Sequence, residues 1–258
     1  MKPPLEELNL LLSDIAADTQ FVALAAQLRH RLNGILRWEG MGGEERTLVQ
    51  SFLNIRHSRP EGLYGPLLIR LLAAFERFVR GLIVWTVDHH YNTVAKFDDL
   101  SAGIAQRNRQ LTGKMLALSE LPDHLVFDIP LLIGNLATCK AGYTGAFRLN
   151  SVVFSSGIAG FSPKHLETAL ENIDVEDFWD FLGRDEKLIA ILGTKGARQT
   201  GKEASERLKE LSRLRNRLAH GGDGAPLVSE VQLRDAQAFI AALSKALEDL
   251  VLTKLKIA

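Results

Sequence analysis

Residues 67–87 read LLIRLLAAFERFVRGLIVWTV, and Leu68, Leu71, Leu72, Phe75, Phe78, Val79, Leu82, Ile83 and Trp85 recur in it at helical spacing without leaving a wide polar face. A helix that is apolar around nearly its whole circumference belongs in the middle of a bundle, because a surface helix keeps one polar side. Pro66 stands at its entry, where a missing N–H costs little. Arg70, Glu76, Arg77 and Arg80 interrupt the run, so it reads as a core helix rather than a membrane span.

Working outward, the flanking segments are helical as well. Leu5 to Leu32 carries Leu8, Leu11, Leu12, Ile15, Phe21, Leu24 and Leu28 at spacings of three and four. Gly40 to Gly43 separates it from an amphipathic piece near Glu45 to Ile55, which Pro60 and Gly62 close. Asp98 and Ser101 begin a helix predicted to run through Leu118, with Pro122 as its stop. Ser162 followed by Pro163 is an N-cap and first-turn pair for Lys164 to Glu171, and Asp174 with Asp177 opens a short helix through Leu192. Glu203 to His220 forms another, stopped by Gly221 and Gly222. From Ser229 or Glu230 onward, Leu233, Ala236, Phe239, Ile240, Leu243, Leu247 and Leu250 form one long apolar stripe.

The segment near 122–160 is the least regular. Leu125 to Ile133 and Val152 to Phe154 read as short strands or irregular apolar plugs among glycines, a small insertion or a cover on the substrate side. The predicted fold class is therefore all-α, a helical bundle with a partly irregular central insertion. Residues 1–60 form an N-terminal helical extension available to pack on a helical domain of residues 61–258.

A chain of 258 residues, 46% hydrophobic and 24% charged, has ample material for a core, which excludes a disordered or staple-dependent protein. Cys139 is the single cysteine, so there is no intramolecular disulfide, and no CxxC or Cys/His zinc spacing occurs. The first twenty residues lack a basic, then apolar, then small-residue leader pattern. A cytoplasmic protein without membrane association is expected. No metal or organic cofactor is implied.

Lys and Arg number 31, as do Asp and Glu, so net charge offers no bulk attraction to a polyanion. The balance is reached by cancellation. Residues 195–220 carry eight basic side chains against three acidic ones, whereas residues 164–187 carry eight acidic against three basic. Two solvated helix faces would account for this, and so would one surface that holds a polyanion.

The basic helix breaks its own pattern. Ala204, Leu208, Leu211, Leu214 and Leu218 lie on one side at about 100° per residue, and Arg215 falls inside that arc. A guanidinium there must snorkel to water, pair with a carboxylate, or face a second subunit and its ligand, since an unpaired buried charge is expensive. Asn216 and His220, four apart, share another flank, while Arg213 and Arg217 point toward solvent. Arg215 and His220 are offset by about 140° and 7.5 Å of rise, so one chain does not aim both at one atom, whereas two chains about a two-fold axis can. A histidine that moves a proton and an arginine that neutralises a phosphorane suffice for RNA cleavage by the 2′-hydroxyl.

Other motifs carry less. Gly196 to Lys202 matches most of a phosphate-loop spacing, but Glu203 stands where Ser or Thr would hold Mg²⁺, and the segment reads as a glycine-punctuated loop. The histidines show no metal-ligand spacing, and Asp174, Glu176, Asp177 and Asp180 resemble a first-turn acid cluster rather than a calcium loop. Glu76 has two candidate partners, Arg80 four residues on or Arg215 across the bundle.

The run LSRLRNRLAHG, Leu211 to Gly221, resembles the terminal helix signature of the HEPN superfamily, an all-helical group rich in ribonuclease toxins and defence proteins. Arg215, Asn216 and His220 occupy its motif positions, with Ala219 before the histidine and Gly221 after it. Ala74-Phe75-Glu76 resembles the aromatic–acidic step of the RiboL-PSP and MAE-type branch. Phe154 to Val175 is similar to that branch's middle segment, and Val228 to Val251 takes the place of its closing helix. The resemblance covers roughly Leu63 to Val251. It implies a HEPN-like helical bundle and a homodimer whose paired motifs make a metal-independent endoribonuclease, leaving 2′,3′-cyclic phosphate and 5′-hydroxyl ends. His220 would be the acid/base group, Arg215 the phosphate-stabilising group and Asn216 a positioning donor. Beside these, Arg213 and Arg217 are candidate substrate-binding residues, and Glu76 is a candidate to orient Arg215 where it does not pair with Arg80. A toxin or antiphage effector, partnered by an antitoxin or another defence-system protein, is the implied setting, and a noncatalytic RNA-binding or protein-interaction module is the alternative. Gly222 stands where some family toxins carry a tyrosine that is adenylylated, which puts that control in doubt for this chain.

Overall fold

The computed structural model describes residues 4–35, 42–54, 62–118, 128–156, 162–221 and 226–255. Among the described residues the regular structure is helical and contains no strand. In chain order the helices are α1 (Leu5–Ile35), α2 (Gly43–Asn54), α3 (Tyr64–Thr93), α4 (Ala102–Leu116), α5 (Ile129–Thr138), α6 (Ser151–Phe154), α7 (Pro163–Glu171), α8 (Phe178–Leu182), α9 (Glu186–Leu192), α10 (Ala197–His220) and α11 (Glu230–Leu255).

α3 is the axis of the bundle, as its all-round apolar sequence predicts. Leu68, Leu71, Leu72, Phe75, Phe78, Leu82, Ile83 and Val87 are buried on it, and α1, α6, α7, α10 and α11 cover it. α1 runs antiparallel along one side: Arg70 donates to Asp18 at 2.6 Å, Arg77 to Glu7 at 3.4 Å, and Pro4 reaches Gly81. α11 lies against both α1 and α3, and its start is tied to that of α3 where the Tyr64 hydroxyl donates to Glu230 at 3.4 Å. α10 packs on α3 from elsewhere, through buried Ala204, Leu208 and Leu211. Gly65 on α3 faces Leu218 of α10, and at 100° per residue it lies roughly opposite the Arg70, Arg77 and Gly81 side that meets α1.

Local chemistry explains the helix starts. The Ser101 hydroxyl accepts from the Ile104 N–H at 3.2 Å and caps α4, while Asp98 sits upstream in a 3-10 turn, Phe97–Asp99. Ser162 caps α7 with Pro163 in its first turn. Ser229 and Gln232 form a reciprocal capping box at α11: the Ser229 N–H donates to Gln232 Oε1 at 2.9 Å, and the Gln232 N–H to Ser229 Oγ at 3.1 Å.

Three expectations are corrected. The strand or plug readings of Leu125 to Ile133 and Val152 to Phe154 give way to helices in the described part: α5, capped by Asp128 with Pro130 in its first turn, and the single turn α6; residues 125–127 lie outside the described residues. What is irregular is the stretch between these helices, and a polar knot anchors it. The Asn150 N–H donates to Asn108 Oδ1 at 2.9 Å. Its Nδ2 donates to Thr112 Oγ1 at 3.1 Å and the Leu132 carbonyl at 3.0 Å, and its Oδ1 accepts from Asn135 at 2.9 Å. The helix expected from Asp174 through Leu192 is split into α8 and α9, because Asp185 caps a new start by accepting from the Leu188 N–H at 2.8 Å. Finally, α10 begins at Ala197 rather than near Glu203, so most of the expected glycine-punctuated loop is helix.

That longer α10 requires its glycine. A Cβ at Gly201 would overlap the Trp179 carbonyl oxygen of α8, and one at Gly183 would overlap the Ala197 carbonyl oxygen. Two backbones therefore meet with no side chain between them, and neither side of the contact has a flexible group that could move aside. Gly201→Ala is expected to destabilise the fold by about 1–3 kcal/mol. Gly113→Ala, in an exposed turn of α4 with nothing near the added methyl, is expected to stabilise it by about 0.4–1 kcal/mol. Thermal or urea denaturation of the two variants checks the opposite signs.

Candidate functional site

The last two turns of α10 leave the core gradually. Leu208 and Leu211 are buried, Leu214, Arg215 and Leu218 are half-buried, and Arg213, Asn216, Arg217 and His220 are exposed. Arg215 thus sits where the sequence places it, within the apolar arc at the point where that arc opens to solvent. Its Nη1 donates to Asn216 Oδ1 at 3.2 Å, so a neutral neighbour orients the guanidinium and leaves its charge uncompensated by that contact. His220 occupies the final turn, and Gly221 after it keeps an ordinary helical φ of −77°.

Beside this end runs an open groove of about 630 Å³. Arg207, Glu210, Arg213, Asn216 and Arg217 line it from α10 together with Leu211 and Leu214, and Gln232 lines it from α11. The capping box holds the Gln232 side chain through Oε1 and takes no part of its Nε2. Asn216 belongs to both features, as the acceptor for Arg215 and as part of the groove wall. Arg207 donates to Glu210 at 3.4 Å, whereas Arg213 and Arg217 make no ion pair with a described residue. Leu227 and Val231, 78% and 66% exposed, add apolar surface at the start of α11.

The structure therefore brings Arg215, Asn216, Arg213 and Arg217 to one helix end but leaves Arg215 and His220 on different flanks of it. Arg207 and Gln232 were missed by the sequence reading. Arg207 was legible in principle, since it repeats with Glu210, Leu214 and Arg217 at spacings of three and four. Gln232 was not, because it arrives from another helix. Of the two partners open to Glu76, the structure shows the local one: its carboxylate accepts from Arg80 at 2.5 Å, while the Arg215 guanidinium donates to Asn216. Two residues four apart on one helix meet more readily than two on separate helices, and both side chains of this pair are largely buried.

Shifted titratable groups lie elsewhere. Burial pushes the Asp88 carboxyl up, opposed by a hydrogen bond from Ser151 and the charge of Arg148. Burial, with the neighbouring His89, pushes His90 down against the pull of Asp174. Both sit near the C-terminal end of α3, about 35 Å along the helix from Gly65 and the α10 terminus. No group of three or more His, Cys, Asp or Glu side chains among the described residues is placed to share a metal ion.

This all-helical bundle, closed by an arginine- and histidine-bearing helix and a final long helix, is the architecture of a HEPN protein. The chain belongs to the RiboL-PSP-HEPN family, whose model matches residues 63–253. The match begins just before α3 and ends near the end of α11, so α1 and α2 lie outside it. No curated protein and no solved structure matches the chain significantly. Family membership supports a nuclease-type or RNA-binding function in general terms.

Glu76→Ala would take one partner from a largely buried Arg80. It is expected to lower stability by about 1–3 kcal/mol, the cost of a buried polar group that loses a partner, while Arg80→Ala/Glu76→Ala together cost less than the sum of the two. Chemical denaturation of the double-mutant cycle measures the difference.

Proposed function

We propose that this protein is a metal-independent endoribonuclease whose active site is completed by a second copy of the chain. The observation that carries this reading is the half-buried Arg215, held by Asn216 at the open end of α10 with His220 one turn beyond. An arginine in an apolar arc without a carboxylate partner at that contact suits a site that receives a phosphate, because an anionic ligand supplies the missing charge. Two copies facing each other across this end would place two arginines and two histidines around one cleft. Exposed Leu227 and Val231, with half-buried Leu214 and Leu218, supply apolar area for such a contact.

In this reading the ribose 2′-oxygen attacks the adjacent phosphorus. One His220 takes the 2′-hydroxyl proton, the P–O5′ bond breaks, and the other His220 gives a proton to the departing 5′-oxygen. The products carry a 2′,3′-cyclic phosphate and a 5′-hydroxyl. Arg215 neutralises charge that grows on the non-bridging oxygens, and Asn216 fixes the guanidinium plane. Arg213 and Arg217 hold flanking phosphates along the groove. A cytoplasmic toxin or antiphage effector, restrained by an antitoxin or another defence-system protein, is the setting in which such an activity would be useful.

A noncatalytic RNA-binding module is the second reading. It is favoured by the groove itself, which gathers Arg207, Arg213, Asn216, Arg217 and Gln232 without needing any proton transfer.

Single-turnover cleavage of defined tRNA and mRNA, with a chelator present and product ends mapped, separates the two. His220→Ala is expected to slow cleavage by roughly 10²–10⁴ while melting and RNA affinity stay near those of the parent, since His220 is exposed. Normal turnover by folded H220A would remove His220 from the chemistry. Arg215→Ala is expected to weaken both capture and turnover.

Arg213→Ala and Arg217→Ala should act on binding alone. Each is expected to flatten the dependence of log affinity on log salt for single-stranded RNA by about 0.7 for every phosphate that the variant no longer neutralises, with affinity falling similarly across sequences. Fluorescence anisotropy titrations between low and moderate salt provide the slopes.

A further inference from the structure

α1 carries two apolar faces, and the bundle uses one. Leu8, Ile15, Thr19 and Val22 are buried against α3 and α11. On the opposite side Leu10, Ala17, Phe21, Leu24 and Leu28 are all exposed, and at 100° per residue they fall within an arc of about 60°. Leu10, Phe21, Leu24 and Leu28 expose 70%, 71%, 54% and 49% of their surface. Spacings of seven, four, three and four make this a continuous seam of the kind helix pairs bury. Single exposed leucines are ordinary on a protein surface, but five aligned apolar positions over nineteen residues are not.

The charges along α1 say what covers the seam. Its first half holds Glu6, Glu7, Asp14 and Asp18 and no basic residue; its second half holds Arg29, His30 and Arg31 and no acidic residue. The helix dipole favours this order of signs but does not account for the seam. We infer that α1 pairs antiparallel with α1 of a second copy of this chain, about a two-fold axis beside residue 19. That register sets Leu10 against Leu28 of the partner subunit and Ala17 against Phe21 of the partner subunit, a small side chain facing a large one. It also lays the acidic first half of each helix along the basic second half of the partner's helix, whereas a parallel pairing would align like charges.

Residues Leu5–Leu32 are also long and apolar enough to cross a membrane by length and composition. Burial of one face in the bundle argues against spanning, and four carboxylates in the first half argue against an anionic lipid surface, where interfacial helices present Lys and Arg. Pairing through α1 is independent of ribonuclease activity. The seam lies outside the family match, and the α10 end is a separate contact between copies.

The test is cysteine cross-linking and mass measurement on the full chain. Native Cys139 is buried, so background coupling is low. Leu10→Cys/Leu28→Cys is expected to form a covalent dimer on mild oxidation. The two sites are about 27 Å apart along one helix, which rules out a bridge within a chain. Each single cysteine variant is expected to stay uncoupled. Phe21→Glu/Leu24→Glu, at exposed positions the fold does not need, is expected to abolish coupling and lower the mass in sedimentation equilibrium. Arg31→Glu, which puts a carboxylate beside the acidic half of the partner's helix, is expected to weaken association severalfold. Leu227→Glu, at the α10 end, should leave this coupling intact. Efficient coupling by Leu10→Cys alone would overturn the antiparallel register. An unchanged mass for Phe21→Glu/Leu24→Glu would overturn the interface. Co-sedimentation with phosphatidylcholine–phosphatidylglycerol vesicles that Phe21→Glu abolishes, without any cross-linked dimer, would replace it with a lipid surface.

Discussion

A thirty-residue helix that is apolar around most of its circumference must be covered around most of it, and the placement of the other helices follows from that demand on α3, which in its first half leaves exposed only the stripe of Pro66, Arg70, Ala73 and Arg77. Phe75, with no exposed surface, and Phe78, with 2%, stack at 6.3 Å between centroids in its middle turns. α1 and α11 close one side, α10 another, and α6 and α7 meet further parts of the same surface. Burial of this order is the dominant favourable contribution to folding, and it is non-directional. Direction comes from the polar ties at the ends, such as Tyr64 with Glu230 and Arg70 with Asp18.

The candidate site lies where that coverage runs out. α10 is pinned at its start by bare backbone contact with α8 through Gly183 and Gly201, and it is packed in its middle through Ala204 and Leu208. Its last turns then emerge, half-buried and then exposed. An arginine is tolerable in this gradient because the arc is apolar enough to hold its stem yet open enough for the guanidinium to meet Asn216 and a ligand. Rigid anchorage upstream with an exposed terminus is a suitable arrangement for side chains that must be held in place and still reached by a large polyanion.

The electrostatics repeat this division between local and long-range order. The basic stretch of 195–220 is offset by the acidic stretch of 164–187, but the two do not simply neutralise one another in pairs. Lys209 meets Glu206 and Arg207 meets Glu210 within α10, while Asp174 is held by Ser101 and Arg107 of the α4 region. Arg213 and Arg217 make no such pair with a described residue, and both line the groove.

Periodicity by itself determined the helical class, the central position of α3, the stripe of α11, and the capping of α4 and α7, because these depend on neighbours within a few residues. It also singled out Arg215, since a charge inside an apolar arc is visible on a helical projection. The starts of α9 and α10 and the helical state of α5 were less legible. Gly201 reads as a breaker until Trp179 of α8 is known to lie against it, and Asp128 with Pro130 reads as a cap only once the apolar run behind it is known to be helical. Spacing offered Arg80 to Glu76, but tertiary structure alone decided that Arg215 is not its partner, that Gln232 lines the groove, and which apolar face of α1 is buried. Each of those depends on which helices meet, and sequence spacing along one helix carries no information about a side chain that arrives from another.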